Sequence, residues 1–182
     1  MEETQSPVQA AVKPGLTIGL ISLALTYIIY FVNSSLLISG WFGFAALIIF
    51  FVLIFYFGRQ YRTEIGGFID FGSAFKFSFV AILISGIVST LGQILLYQVV
   101  DPSLPQVLAE QTMQNTLATM ESFGASADAM SPEQLDEMRT GIEDGFTLTG
   151  QLKGFGIAII IYAIVALIVA AILKKRDKSL DY

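Results

Sequence analysis

The sequence predicts an all-α polytopic membrane protein: four transmembrane helices, with a helical hairpin outside the membrane between spans 3 and 4. Three observations carry this. Only 14% of the 182 residues are charged and 54% are hydrophobic, against about 25% charged in soluble domains. The charges gather near the chain ends and in two internal segments, leaving long stretches with none. The longer internal segment, 101–153, is acidic and carries apolar residues at helical spacing. Four buried helices of a soluble domain are the alternative, and a chain this short has too little polar surface to cover them.

Between Lys13 and Arg59 lie 45 residues without a charge, whereas one crossing needs about 20 helical residues. Two crossings therefore fit, divided at the turn-prone run Asn33, Ser34, Ser35, Ser39 and Gly40, with Trp41 where an indole sits at a membrane interface. Span 1 is read as about 16–37 and span 2 as 41–57. Lys13 followed by an apolar stretch resembles a secretory signal, but the stretch is too long and lacks a small-x-small cleavage site, so span 1 is expected to remain as a signal anchor. Span 3 occupies 77–100, between Lys76 and Asp101, and span 4 occupies 154–173, between Lys153 and Lys174. The expected organisation is an N-terminal tail (1–13), a single four-span membrane domain (14–173) and a basic tail (174–182).

Positive residues near span ends are retained in the cytoplasm. Arg59, Arg62 and Lys76 lie between spans 2 and 3, and Lys174, Lys175, Arg176 and Lys178 lie in the tail. The segment 101–153 has only Arg139 and Lys153, beside Asp101, Glu110, Glu121, Asp128, Glu133, Asp136, Glu137, Glu143 and Asp144. The expected arrangement is a multi-pass protein of the cytoplasmic membrane with both termini inside and 101–153 outside.

Within that exterior segment, Asp101, Pro102, Ser103 and Pro105 stop span 3. Ala109, Met113, Leu117 and Met120 then recur at helical spacing, predicting a helix over about 106–123. Gly124 to Met130 is rich in Gly, Ala and Ser and reads as a hinge. Ser131, Pro132 and Gln134 form a capping-box pattern at the start of a second helix, whose early Glu133, Asp136 and Glu137 suit the positive end of the helix dipole. Leu135, Met138, Ile142 and Phe146 give it an apolar stripe. The two stripes are expected to pack on each other or on the membrane top. A protein partner at these acidic helices is the functional alternative, because Met-rich surfaces adapt to varied partners. The acids lack the spacing of an EF-hand loop, so no metal site is expected.

The other internal segment runs Tyr61-Arg62, then Gly66-Gly67, then Phe71-Gly72-Ser73-Ala74-Phe75 leading into span 3. Together with the four spans, the Pro-containing exit from span 3, the acidic exterior segment and the basic tail, this pattern resembles a family of small bacterial membrane proteins catalogued as a domain of unknown function. The resemblance covers essentially the whole chain and implies a fold and a location, with no activity or catalytic residues to carry over. From the residues themselves, Gly66 and Gly67 permit positive φ and a tight turn that brings Tyr61 toward Phe68. Arg59, Arg62 and Lys76 are expected to meet anionic headgroups while Phe68, Phe71 and Phe75 dip into the interface. Arg59, Tyr61, Arg62, Gly66, Gly67, Phe71 and Gly72 thus form a candidate cytoplasmic interfacial turn.

With no Cys and no His, the chain has no thiolate nucleophile, imidazole base or Cys/His zinc site. No Gly-rich phosphate-binding loop is present either. A net charge of −5 argues against nucleic acid as a partner, and no cofactor is expected. The proposed spans contain no ionisable acid or base of the kind that marks a coupled transport pathway. Gly15 with Gly19, Ser85 with Ser89, and Gly86 with Thr90 are each four apart, giving spans 1 and 3 small faces for close packing. Gln93 shares the span 3 face and is expected to bond to a neighbouring helix. Gly15, Gly19, Ser85, Gly86, Ser89 and Gln93 are the candidate packing residues. A scaffold or accessory protein, rather than an enzyme, is the expected function, with the lipid bilayer and a protein at the exterior helices as partners. The alternative is a small uniporter or channel subunit working as a homo-oligomer.

The expected orientation is tested by placing single cysteines in this Cys-free chain at Thr63, Ser126 and Ser179. An impermeant maleimide added to intact cells should label only Ser126→Cys, and labelling at position 63 would overturn it.

Overall fold

The computed structural model describes residues 5–124 and 130–176. Among these residues six α-helices follow one another: α1 (Pro7–Asn33), α2 (Gly40–Glu64), α3 (Phe71–Leu95), α4 (Leu104–Ser122), α5 (Pro132–Phe146) and α6 (Leu148–Leu173). A 3₁₀ segment, Ser34–Ile38, joins α1 to α2, and a widened π segment, Leu96–Val100, extends α3. Four helices, α1, α2, α3 and α6, are long and apolar enough to cross a membrane, so the all-helical, four-span reading holds. Both described chain ends lie at one pole of the bundle, and α4 and α5 form a hairpin at the other.

Each span is longer than its charge-free core. A helix of 25 residues extends about 38 Å at 1.5 Å per residue, more than the roughly 30 Å hydrocarbon layer. The helices begin at side chains that satisfy free backbone N–H groups, not where the charges stop. Ser39 accepts from Phe42 N, Asp70 from Ser73 N and Thr147 from Gly150 N. Ser6 and Ser131 each form a full capping box, with Gln9 and Gln134 returning to the cap N–H. Ser6-Pro7-Val8-Gln9 thus repeats the pattern of Ser131-Pro132-Glu133-Gln134, and α1 starts at Pro7, inside the stretch read as a tail.

The bundle is organised around α3, which packs along α1 on one side and α6 on the other. Small residues set both distances. A Cβ on Gly15 would lie 2.8 Å from the Ala81 carbonyl oxygen, and one on Gly19 would lie 2.7 Å from Val88 Cβ. On the opposite face, a Cβ on Gly86 would meet the Tyr162 ring at 2.6 Å. Ser85 is buried beside Gly19, while Ser89 and Thr90 are half-buried. The small-residue faces of α1 and α3 are therefore the surfaces that meet.

Gln93 behaves differently from the expectation. It is half-buried, and among the described residues its amide makes no hydrogen bond to another helix. The interhelical bond at this level comes from Tyr27, whose hydroxyl donates to the Gly92 carbonyl at 3.2 Å. The Leu23 side chain fills the space over Gly92, so the close approach is made one residue before Gln93 and the backbone carbonyl takes the donor.

In contrast, α2 is peripheral. Ile54, Gly58 and Tyr61 are its buried residues, all toward the pole of the chain ends. There the Leu173 side chain of α6 occupies the space above Gly58. Its other half, from Trp41 (85% exposed) to Ile49, remains largely open.

Adding a methyl group at Gly15 or Gly19 pushes against backbone or a β-branched side chain, and overpacking of this kind costs about 1 to 3 kcal/mol. Gly15→Ala and Gly19→Ala should each lower the melting temperature in detergent. Gly43→Ala, in open space, should leave it unchanged or slightly raised.

Candidate functional site

The turn between α2 and α3 ties the chain together at its terminal pole. Gly66 (φ +100°) and Gly67 (φ +86°) occupy the left-handed region, where a Cβ is strained. They reverse the chain directly after α2, and Gly67 N donates to Arg62 O at 2.8 Å. Ile69 then pairs with Lys175 through two backbone hydrogen bonds, 3.0 and 2.9 Å, in an antiparallel bridge. Asp70 caps α3, and its carboxyl is held below the usual carboxylate range by the Ser73 side chain first and the Ser73 N–H second. Phe71 and Gly72 follow, both exposed, with Gly72 so near the cap that a Cβ there would lie 3.1 Å from Asp70 Oδ1.

Three side chains of this turn are placed differently from the interfacial picture. Tyr61 stacks flat on Phe77, with centroids 4.9 Å apart and planes 7° from parallel, and not on Phe68. Its hydroxyl donates to Gln5 O at 3.3 Å, which fastens the start of the chain. Arg62 turns inward, and its Nη1 donates to the Leu173 carbonyl at 3.0 Å. A cation at the last carbonyls of α6 satisfies groups that the helix leaves free and complements its dipole. Phe75 stacks on Phe79 (5.7 Å, 15°), while Phe68 is partly exposed under Lys175 Nζ, 5.4 Å from its ring centre. Arg59 and Lys76 remain exposed at this pole. The reason for the difference is that α6 ends beside the turn, and its unsatisfied carbonyls compete for Arg62.

At the other pole, Asp101 joins the spans to the hairpin. Its Oδ1 accepts from Ser103 Oγ (2.6 Å), Ser103 N (3.1 Å) and Leu104 N (3.1 Å), and Tyr30 donates to Oδ2 at 3.2 Å. The Ser103 hydroxyl is the main cause holding this carboxyl below the usual range, with Tyr30 and the backbone donors adding to it against partial desolvation. Asp101 thus caps α4 and fastens it to α1. Leu96, Leu104 and Leu108 are buried beneath, with Tyr27, Tyr30, Tyr97 and Phe146 around them.

The hairpin follows the expected stripes. Ala109 and Met113 are buried, and Leu117, Met120, Leu135, Met138, Ile142 and Phe146 are half-buried, Phe146 against Tyr97 at 5.9 Å. Of the hinge at 124–130, residues 125–129 lie outside the described residues. A single residue, Thr147, separates α5 from α6. A Cβ on Gly150 would collide with the Asp144 carbonyl, so this corner needs glycine. Between α4 and α5 lies a groove of about 570 Å³ with Met113, Leu117 and Leu135 within it and Glu110, Asp136, Arg139 and Glu143 along its lining. Among the described residues, no three carboxylates come close enough together to hold a metal ion.

Removing the guanidinium of Arg62 leaves the Leu173 carbonyl without its charged donor, and such bonds contribute about 1.5 to 3 kcal/mol. Arg62→Gln should accelerate amide exchange at the end of α6 and at Lys175, leaving α4 and α5 unaffected. Mass-spectrometric hydrogen exchange in detergent measures both.

Neither the curated proteins nor the solved structures provide a match to the chain. A family profile does, that of Protein of unknown function (DUF4199), over residues 13–175. That interval begins in α1 and ends at the residue bridged to Ile69, so it takes in all four spans, the glycine turn and the hairpin. This chain is a four-span member of the DUF4199 family.

Proposed function

We propose that this protein is a scaffold or accessory component of the cytoplasmic membrane, without catalytic turnover, with both termini inside and the hairpin outside. The groove between α4 and α5 carries this reading. It offers an apolar lining of Met113, Leu117 and Leu135 beside Glu110, Asp136 and Glu143, with Arg139 as the cation among them. Such a surface suits a protein segment that is apolar on one side and basic on the other, since Met and Leu adapt to varied side chains while the acids attract the cations. The rigid attachment of the hairpin through Asp101 and the Thr147 corner holds the groove at a fixed position over the spans.

The test joins cross-linking to flux. Chemical cross-linking in native membranes, read by peptide mass spectrometry, should join α4 or α5 to one recurring protein. The triple variant Glu110→Lys, Asp136→Lys, Glu143→Lys should lose those links with its melting temperature retained. If the purified protein instead conducts ions or small solutes across proteoliposomes, the scaffold reading fails and the channel or uniporter reading replaces it.

A further inference from the structure

The peripheral position of α2 leaves a second concave surface, on its side toward α6. This groove has a volume of about 780 Å³ and runs along α2 from Leu47 past Phe51 and Phe55 to Arg59 and Thr63, with Ile172 of α6 also lining it. From Leu47 to Arg59 is about 18 Å along a helix, close to the roughly 15 Å depth of one hydrocarbon leaflet. An apolar trough one leaflet long that ends at a guanidinium has the dimensions of a phospholipid.

Charge at the mouth selects the kind of headgroup. Arg62, one turn on, is committed to the Leu173 carbonyl, and the nearby acid Glu64 accepts from Gln60 Nε2 at 3.0 Å. Arg59 is exposed. Leu173 sits on Gly58, so the exposed Lys174 follows immediately after the contact between α6 and α2. Arg59 is thus the cation that lines the polar end of the trough, a setting for phosphate oxygens. A second copy packed through the same face about a two-fold axis along the membrane normal would set Arg59 against its own counterpart, which disfavours that occupant.

We infer that the groove between α2 and α6 is a binding site for one anionic phospholipid, its acyl chain along Phe51 and Phe55 and its phosphate at Arg59. This inference is independent of the proposed role of the hairpin. Purified protein in neutral detergent would be given equal amounts of phosphatidylglycerol and phosphatidylcholine with identical chains, and retained lipid counted by native mass spectrometry. One phosphatidylglycerol should be retained in preference to phosphatidylcholine. Arg59→Gln should weaken that retention about tenfold, the loss of one charged hydrogen-bonding partner. Val52→Trp, which fills the trough from a position 62% exposed, should weaken retention of both lipids while the fold persists. Glycerol phosphate, which has the headgroup chemistry without the chains, should not compete. Equal retention of the two lipids, retention unchanged in Arg59→Gln, displacement by glycerol phosphate, or a dimer that Val52→Trp dissociates would each overturn the site.

Discussion

The close approach of α1 to α3 is the constraint on which the rest of the molecule depends. Inside a bilayer, apolar side chains gain little by leaving lipid for protein, so helices associate through van der Waals contact and the few polar bonds they share. Gly15 and Gly19 let α3 approach until Ala81, Ser85 and Val88 touch the backbone of α1. Once that distance is fixed, Leu23 closes over Gly92 and Tyr27 reaches its carbonyl. Farther along the same pair, Tyr30 reaches Asp101, so the packing of the spans also places the first helix of the hairpin.

The two poles are closed by different chemistry. At the hairpin pole a carboxylate gathers donors from Ser103, Leu104 and Tyr30, each of which satisfies a group at the start of α4 or the end of α1. At the terminal pole a guanidinium and a pair of backbone hydrogen bonds finish α6. Both solutions follow from the dipoles of the helices, an anion at an N-terminus and a cation at a C-terminus. They make the bundle a closed unit in which the start of α1, the glycine turn and the end of α6 hold one another. Among the four long apolar helices the one left least engaged is α2, and its open face supplies the apolar trough beside Arg59.

The two capping boxes show how far local sequence reaches. The Ser-Pro-x-Gln pattern specifies a helix start at Ser131, and the same pattern at Ser6 specifies another. The second is legible in the sequence but is obscured by the charge at Lys13, because a charge marks where the hydrocarbon ends and not where the helix does. The hairpin was legible through periodicity: stripes at three- and four-residue spacing on two linked helices have few ways to be buried other than against each other.

Local sequence therefore determined the number of spans, the break near Asn33 to Gly40, the glycine turn and the α4–α5 hairpin, because charge spacing, helical period and backbone permissiveness are properties of neighbouring residues. It also marked Gly15, Gly19, Ser85 and Gly86 as packing positions, since small residues four apart form one face. Tertiary structure alone decided the partners. Arg62 serves a carbonyl 111 positions away, Tyr61 stacks on Phe77 and not Phe68, and Tyr27, not Gln93, supplies the bond near Gly92. Each of these depends on which helix ends or passes beside the residue, and that is settled by the packing of α3 between α1 and α6, not by any window of the chain.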